Sequence, residues 1–147
     1  TSWVYSSFGA NFVKTMLQLV TTRDRLTVVD DQIGTPTCAR SLAQCAWSLL
    51  AKPSATGVYH WSDAGACSWY DFACAIRDEA WDLGLIEGAA EIVPIPASDY
   101  PTPAARPTYS VLDKSATRAM LGYTGNHWRH NLRTMLEDWS KTGGVML

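Results

Sequence analysis

Leu26-Thr-Val-Val-Asp-Asp-Gln-Ile-Gly-Thr-Pro-Thr37, followed without a break by Cys38-Ala-Arg-Ser-Leu-Ala-Gln-Cys-Ala-Trp-Ser-Leu-Leu50, changes its hydrophobic period part-way and sets the fold class. Leu26 to Val29, three of its four residues β-branched, reads as a short strand ending at Asp30-Asp31-Gln32. Gly34 and Pro36 shape a turn, and Thr37 is the expected N-cap of a helix. Leu42, Ala43, Ala46, Trp47, Leu49 and Leu50 then mark that helix, the least polar of the set, until Pro53 stops it.

The same alternation runs outward in both directions. Upstream, Ser2-Trp3-Val4-Tyr5 reads as a strand and Asn11 as the cap of a helix carrying Phe12, Val13, Met16, Leu17 and Val20. Downstream, Val58-Tyr59-His60-Trp61 is expected to be a third strand, closed by the small-residue turn Ala64-Gly65-Ala66. Ser68 and Asp71 have the spacing of a capping box, and the helix they open places Trp69, Phe72, Ala73, Ile76, Ala80 and Leu83 on one face before Gly84 ends it. Glu91 to Ile95 is a fourth strand. Pro96, Pro101, Pro103 and Pro107 make the next stretch irregular, a long loop suited to binding. Asp113 caps a short helix ending at Leu121-Gly122, Asn126 opens a last helix through Trp128, Leu132, Met135, Leu136 and Trp139, and Gly143-Gly144 is expected to fray. Strands alternating with helices, with no internal repeat or linker, predict one α/β domain over residues 1–147, with about five helices and short strands.

Composition narrows the function classes. At 147 residues the chain buries enough surface for one core without staples. Twelve basic against 14 acidic residues, with no basic stripe, argue against nucleic acid as a partner. No apolar run reaches the length of a membrane span and the N-terminus has no signal-peptide pattern, so a soluble, cytoplasmic protein is expected. Cys38, Cys45, Cys67 and Cys74 lack metal or redox spacing and read as buried free thiols; His60, His127 and His130 lack ligand spacing, so no metal site is expected. Thr1 opens directly on a strand, as a domain cut from something longer would.

The chemistry is defined first by what is missing. None of the ten glycines builds a GxGxxG turn or a P-loop, so no cofactor site for NAD(P) is expected in this chain. A Tyr-Lys pair at i and i+4 does not occur, because the residues four after the tyrosines are Gly9, Asp63, Cys74, Ala104, Asp113 and His127. There is no GxSxG elbow, and no catalytic residue is assigned. What remains is polar residues at element ends. Asn11 marks a helix start, where free amides favour an anion, although a plain cap serves as well. Arg106, stiffened by Pro103 and Pro107, is suited to grip phosphate oxygens, or is simply a surface arginine. Asp30-Asp31-Gln32 and Trp3 are equally open to turn and core roles.

Several collinear stretches resemble one family, dTDP-4-dehydrorhamnose reductase of the extended short-chain dehydrogenases. They are Thr1-Ser-Trp-Val-Tyr5, Asn11 to Leu17, Val28 to Thr37, Gly57-Val-Tyr-His60, Ser68-Trp-Tyr-Asp-Phe-Ala73, Asp99 to Pro107 and Ser110-Val-Leu-Asp113. The resemblance implies the C-terminal, substrate-binding part of a bacterial reductase of dTDP-rhamnose biosynthesis, without its N-terminal dinucleotide-binding half. In the complete family enzyme NADPH reduces a dTDP-4-keto-6-deoxy sugar with an acid, a lysine and a Ser/Thr that all lie upstream of Trp3, so this chain alone is expected to be inactive. By analogy Trp3 lines the sugar site, Asn11 and Arg106 hold the diphosphate, and Gln32 with Thr37 lie in the nucleotide-facing loop. The partners so implied are a dTDP-sugar or related nucleotide sugar and a separate cofactor-binding half. The alternatives are a stand-alone nucleotide-sugar-binding module and a structural fragment that self-associates to cover apolar surface bared around Trp3 and Tyr5. Some family members bridge a homodimer through Mg²⁺ with a glutamate three residues after the Pro-Thr pair; Arg40 occupies that position and cannot ligate a cation.

Overall fold

The computed structural model describes residues 1–141; the Gly143-Gly144 expectation lies outside them. Three long helices make the core. Helix α1 (Phe12–Thr22) is opened by Asn11, whose Oδ1 accepts from the Lys14 amide (3.3 Å), and it buries Val13, Met16, Leu17 and Val20. Helix α3 (Trp69–Asp82) has both halves of the expected capping box, the Asp71 amide donating to Ser68 Oγ (3.0 Å) and the Ser68 amide to Asp71 Oδ2 (2.9 Å). Its buried face includes Phe72, Ala73, Ile76 and Ala80, and Gly84 takes the left-handed conformation at φ +66° just past its end. Helix α5 (Trp128–Lys141) adds Trp128, Leu132, Met135 and Leu136 to the same core. Rings from all three interlock, with Phe72 set against Phe12 on one side and edge-on to Trp128 on the other.

Among the described residues the strands form three two-stranded pairs. Strand β1 (Val4–Tyr5) lies parallel to β4 (Thr37–Cys38), and β2 (Arg25–Val29) lies parallel to β6 (Glu91–Ile95). Strand β3 (Ile33–Gly34) runs antiparallel to β5 (Cys67–Ser68). Leu26, Val28 and Ile92 carry the core under β2 and β6. Helix α2 (Ala39–Leu50) and the short α4 (Ser115–Leu121) pack together to one side, and a 3₁₀ turn spans Ala97–Asp99 at the start of the proline loop.

Five local expectations are corrected. Val58 to Trp61 is no strand: Val58 is exposed, and the His60 carbonyl accepts from the Thr117 hydroxyl (2.6 Å) in place of a ladder partner. Thr37 does not cap α2. It lies in β4, and Cys38 occupies the cap position with no side-chain cap bond of its own. Most of the apolar face expected on α2 is exposed, since Cys45 alone among its residues is buried, while Trp47 is 74% and Leu50 76% accessible. Helices α4 and α5 begin at Ser115 and Trp128, two residues beyond Asp113 and Asn126. Finally, Tyr5 contributes nothing to the apolar surface expected around Trp3 and Tyr5, because it is fully buried against Phe72, while its neighbours Val4 and Phe8 are exposed.

Candidate functional site

Trp3 has a left-handed backbone (φ +46°), a conformation that costs a non-glycine residue of order 1–3 kcal/mol unless its surroundings hold it. They do so from three directions. The Thr37 amide donates to the Trp3 carbonyl (3.1 Å), and the neighbouring Ser2 hydroxyl donates to Thr35 O (2.9 Å). The Trp69 indole stacks on the Trp3 indole with centroids 3.6 Å apart and planes 12° off parallel, and Phe12 tilts against Trp69 at 4.8 Å. Gly34 lies so close that a Cβ there would come within 2.5 Å of Trp3 Cε2, so only glycine fits beside the ring.

The end of the proline loop is tied to this platform. The Ile33 amide donates to Thr108 O (2.8 Å), the Ser110 amide donates to Ile33 O (2.8 Å), and Tyr109 forms a parallel bridge with Ile33. This pairing sets half-buried Gln32 alongside the stretch that carries Arg106. Pro101 to Tyr109 are exposed throughout, and Arg106 makes no hydrogen bond or ion pair among the described residues. Its guanidinium therefore retains all its donors.

Asn11 and Thr37 are placed differently. Asn11 Nδ2 donates to Ser6 O (2.8 Å), so its side chain closes the loop before α1 as well as capping the helix. No acidic side chain occupies the first turn of α1. Thr37 is completely enclosed and its hydroxyl has no partner. Trp3, Gln32 and the Arg106 stretch are thus gathered at one end, Asn11 adjoins them through Phe12 and Trp69, and Thr37 lies beneath.

Sequence reasoning missed a second polar centre. Asp63 is fully buried, and its Oδ2 accepts from the Cys38 amide (3.0 Å) while its Oδ1 accepts from the Ser41 hydroxyl. A distant carboxylate therefore caps α2, the role the sequence offered to Thr37. Lys114 Nζ donates to the Asp63 carbonyl (2.8 Å) and to Ser62 Oγ (2.9 Å), with burial and then Arg118 pushing the Lys114 ammonium below its usual range. The loop Ser6–Phe8, the first turn of α2 and helix α5 enclose a cleft of about 480 Å³. Arg40 pairs with Asp138 across it (2.6 Å), and none of Trp3, Asn11, Gln32, Thr37 and Arg106 lines it. Among the described residues no three His, Cys, Asp or Glu side chains converge on one point.

A dinucleotide does not fit the strand-to-helix turns. Strands β4 and β5 run straight into α2 and α3, whose N-termini are already occupied by the carboxylates of Asp63 and Asp71. The turn from β1 to α1 has one glycine, Gly9, and is filled by the Asn11 amide. All four cysteines are free, three of them buried, and burial followed by the nearby Asp71 charge pushes the Cys67 thiol up to about 12, so it supplies no thiolate nucleophile. No described helix is long and apolar enough to cross a membrane.

The chain is 43% identical over 140 residues to the spore coat polysaccharide biosynthesis protein SpsK of Bacillus subtilis, covering 95% of this chain and 46% of that protein. It is 38% identical over 146 residues to dTDP-4-dehydrorhamnose reductase of Salmonella typhimurium, covering 97% and 49%. The crystal structure of dTDP-4-dehydrorhamnose reductase from Bacillus anthracis in complex with NADP superposes with a TM-score of 0.82 at 33% identity, covering 93% of this chain and 46% of that one. The chain thus spans about half the length of the relatives it matches. Residues 1–141 match the family described as RmlD substrate binding domain. With the helical core, the Ser68 capping box and the Trp3 platform in place across that whole span, the chain belongs to the RmlD substrate-binding-domain family.

Proposed function

We propose that this chain is the nucleotide-sugar-binding part of a dTDP-4-dehydrorhamnose reductase, that it holds the sugar diphosphate at the end of the molecule built around Trp3, and that it performs no hydride transfer by itself. The observation carrying this reading is the family match across residues 1–141, within which the chain has a stacked Trp3–Trp69 platform and, on the loop anchored at Ile33, an unpaired Arg106. Trp3 offers the sugar an apolar wall. Arg106, on a loop stiffened by prolines and anchored through Thr108 and Ser110, binds phosphate oxygens bidentately. Asn11 presents the N-terminal amides of α1 to the same negative charge. Gln32 faces the nucleotide beside the Arg106 stretch, and enclosed Thr37 acts from beneath by fixing Trp3 through its amide. The redox step requires a nicotinamide and a proton donor within hydrogen-bond reach of the carbonyl, and a separate cofactor-binding half supplies both.

Calorimetry with dTDP tests the binding role. Half a cleft leaves the ligand partly wet, so a dissociation constant on the order of 0.1–10 mM is expected. Arg106→Ala should weaken it about tenfold, the loss of one charge-assisted contact of about 1.5 kcal/mol. Equal heats for the two proteins would remove Arg106 from the site. Steady oxidation of NADPH by the purified chain with a dTDP-4-keto-6-deoxy sugar would refute the division of labour.

A further inference from the structure

The proline loop leaves and rejoins the body of the molecule at two neighbouring points. At its start the Asp30 amide donates to Ile95 O (3.0 Å) and the Ala97 amide donates to Asp31 Oδ1 (2.9 Å). At its end the Ile33 amide donates to Thr108 O (2.8 Å), and Ile33 O accepts from both the amide (2.8 Å) and the hydroxyl (3.1 Å) of Ser110. Only Gln32 separates the two anchors, so the loop closes on itself with Gln32 at its neck, in the manner of an Ω-loop.

Tyr100 stands beside the first anchor and Arg106 beside the second. The Tyr100 amide donates to Ala97 O (3.1 Å), which closes the 3₁₀ turn and holds Tyr100 about 6 Å along it from Ala97. Arg106 is two residues from Thr108, a stretch of chain that spans at most about 7 Å. Both side chains are therefore tethered within reach of Gln32. Pro101 excludes the helical conformation at Tyr100, whose backbone lies at φ −126° and ψ 73°. The Tyr100 ring is 59% accessible and makes no hydrogen bond or ring contact among the described residues. An aromatic ring on a backbone held this way gives up little freedom when a flat partner covers it.

Charge distinguishes the two ends. Asp30, Asp31 and Asp99 lie at the Tyr100 end, all exposed and none in an ion pair among the described residues, whereas Arg106 is the one cation of residues 96–110. A diphosphate is repelled from the first end and attracted to the second, so the part of a nucleotide that suits Tyr100 is the flat, uncharged one. Tyr109 is exposed too, but Ser110 turns its hydroxyl to Ile33 O on the side where Gly34 meets Trp3, and alternation along the chain sends the Tyr109 ring the other way.

We infer that Tyr100 is the nucleobase platform of this site: its ring stacks on the base while Arg106, across the neck of the loop, holds the diphosphate. The inference rests on the proposed nucleotide-sugar role and adds to it a residue and a direction, base toward the Asp31 anchor and phosphates toward the Ser110 anchor. Every base has a π-face, so the contact supplies affinity and not a choice among bases.

Proton NMR titrations of the chain with dTDP and with inorganic pyrophosphate separate the two ends. Tyr100→Ala should weaken dTDP about tenfold, as the loss of one stacked base does, and leave pyrophosphate within about twofold of the parent. Tyr100→Phe and Tyr109→Ala should each bind dTDP within about twofold of the parent. The thymine methyl and H6 signals should move upfield as the parent or Tyr100→Phe saturates, and should stay in place with Tyr100→Ala. UDP should lose the same factor as dTDP. Undiminished dTDP binding by Tyr100→Ala, an equal loss of pyrophosphate, or the loss appearing with Tyr109→Ala instead would overturn the inference. Arg106→Ala should weaken both ligands. If it weakens neither while Tyr100→Ala selectively weakens dTDP, the platform stands and the diphosphate grip falls; the reverse pattern sinks the platform alone. A parent chain that binds no dTDP removes both.

Discussion

The indoles of Trp3 and Trp69 lie 3.6 Å apart between centroids, 66 positions apart in the chain, with the Trp3 backbone held at a positive φ. The stack joins the residue just ahead of the first strand to the first turn of α3, and it is where the strain of one residue is offset by packing from another. Trp69→Ala should lower the unfolding free energy by about 2–4 kcal/mol, read by urea titration, and abolish the near-ultraviolet circular dichroism couplet of the pair. A variant that loses stability yet keeps the couplet would mean that the signal arises elsewhere.

Gly34 is the partner of that stack. A methyl group there would overlap Trp3 Cε2 and Cζ2 and the Ser110 hydroxyl. Gly34→Ala should destabilise the chain by about 1–3 kcal/mol and weaken dTDP binding, by displacing both Trp3 and the loop anchor at Ser110. Unchanged stability would mean that the ring moves aside at no cost.

The hydroxyl of Thr37 is enclosed without a partner, whereas the amide of its neighbour Cys38 is capped by Asp63. Thr37→Val should therefore raise stability, by about 1 kcal/mol, because it removes an unsatisfied buried group at constant volume. Asp63→Ala should lower it by about 1–3 kcal/mol by uncapping α2. If the threonine variant is the more harmful of the two in thermal unfolding, the assignment of the cap is wrong.

Glu79 on α3 is buried between α3 and α5 and accepts from Arg129 Nε (2.7 Å) and Arg133 Nη1 (2.8 Å). Burial pushes its carboxyl up, but the two guanidiniums outweigh that and hold it below the usual carboxylate range. A depressed folded-state value means that the contribution is complete above the unfolded pKa, about 4.3, and is lost as pH falls through the folded value. Stability should be flat in this respect above about pH 5 and decline in acid. Glu79→Gln should flatten that acid limb and cost about 1–3 kcal/mol at pH 7, because both arginine partners are partly exposed. Parallel pH profiles for the two proteins would place the acid limb on other groups.

How much of this was legible beforehand depends on whether the determining contacts are local. The helix faces of α1, α3 and α5 followed from periodicity, and the cap bond of Asn11 to the Lys14 amide and the Ser68–Asp71 box span three residues. The strand 91–95 was legible despite Pro94, but not its parallel pairing with β2, because the partner is distant in the chain. Val58 to Trp61 has strand composition and no strand, and its His60 carbonyl is taken by the side chain of Thr117 from 57 positions away. The misplaced cap on α2 has the same origin: Asp63 arrives from 25 positions away and displaces the nearby Thr37.

Sequence alone determined the α/β class, the helices and their core faces, the missing glycine-rich turn and the family resemblance, because each depends on residue type and short spacing. Tertiary structure decided what required distant segments to meet: the Trp3 platform on Gly34 and Trp69, the cap supplied by Asp63, the anchoring of the Arg106 loop on Ile33, and the pairing of β2 with β6. The physical reason is that a buried polar or strained group is stabilised by whichever partner the packed chain delivers, and spacing along the sequence does not encode that delivery.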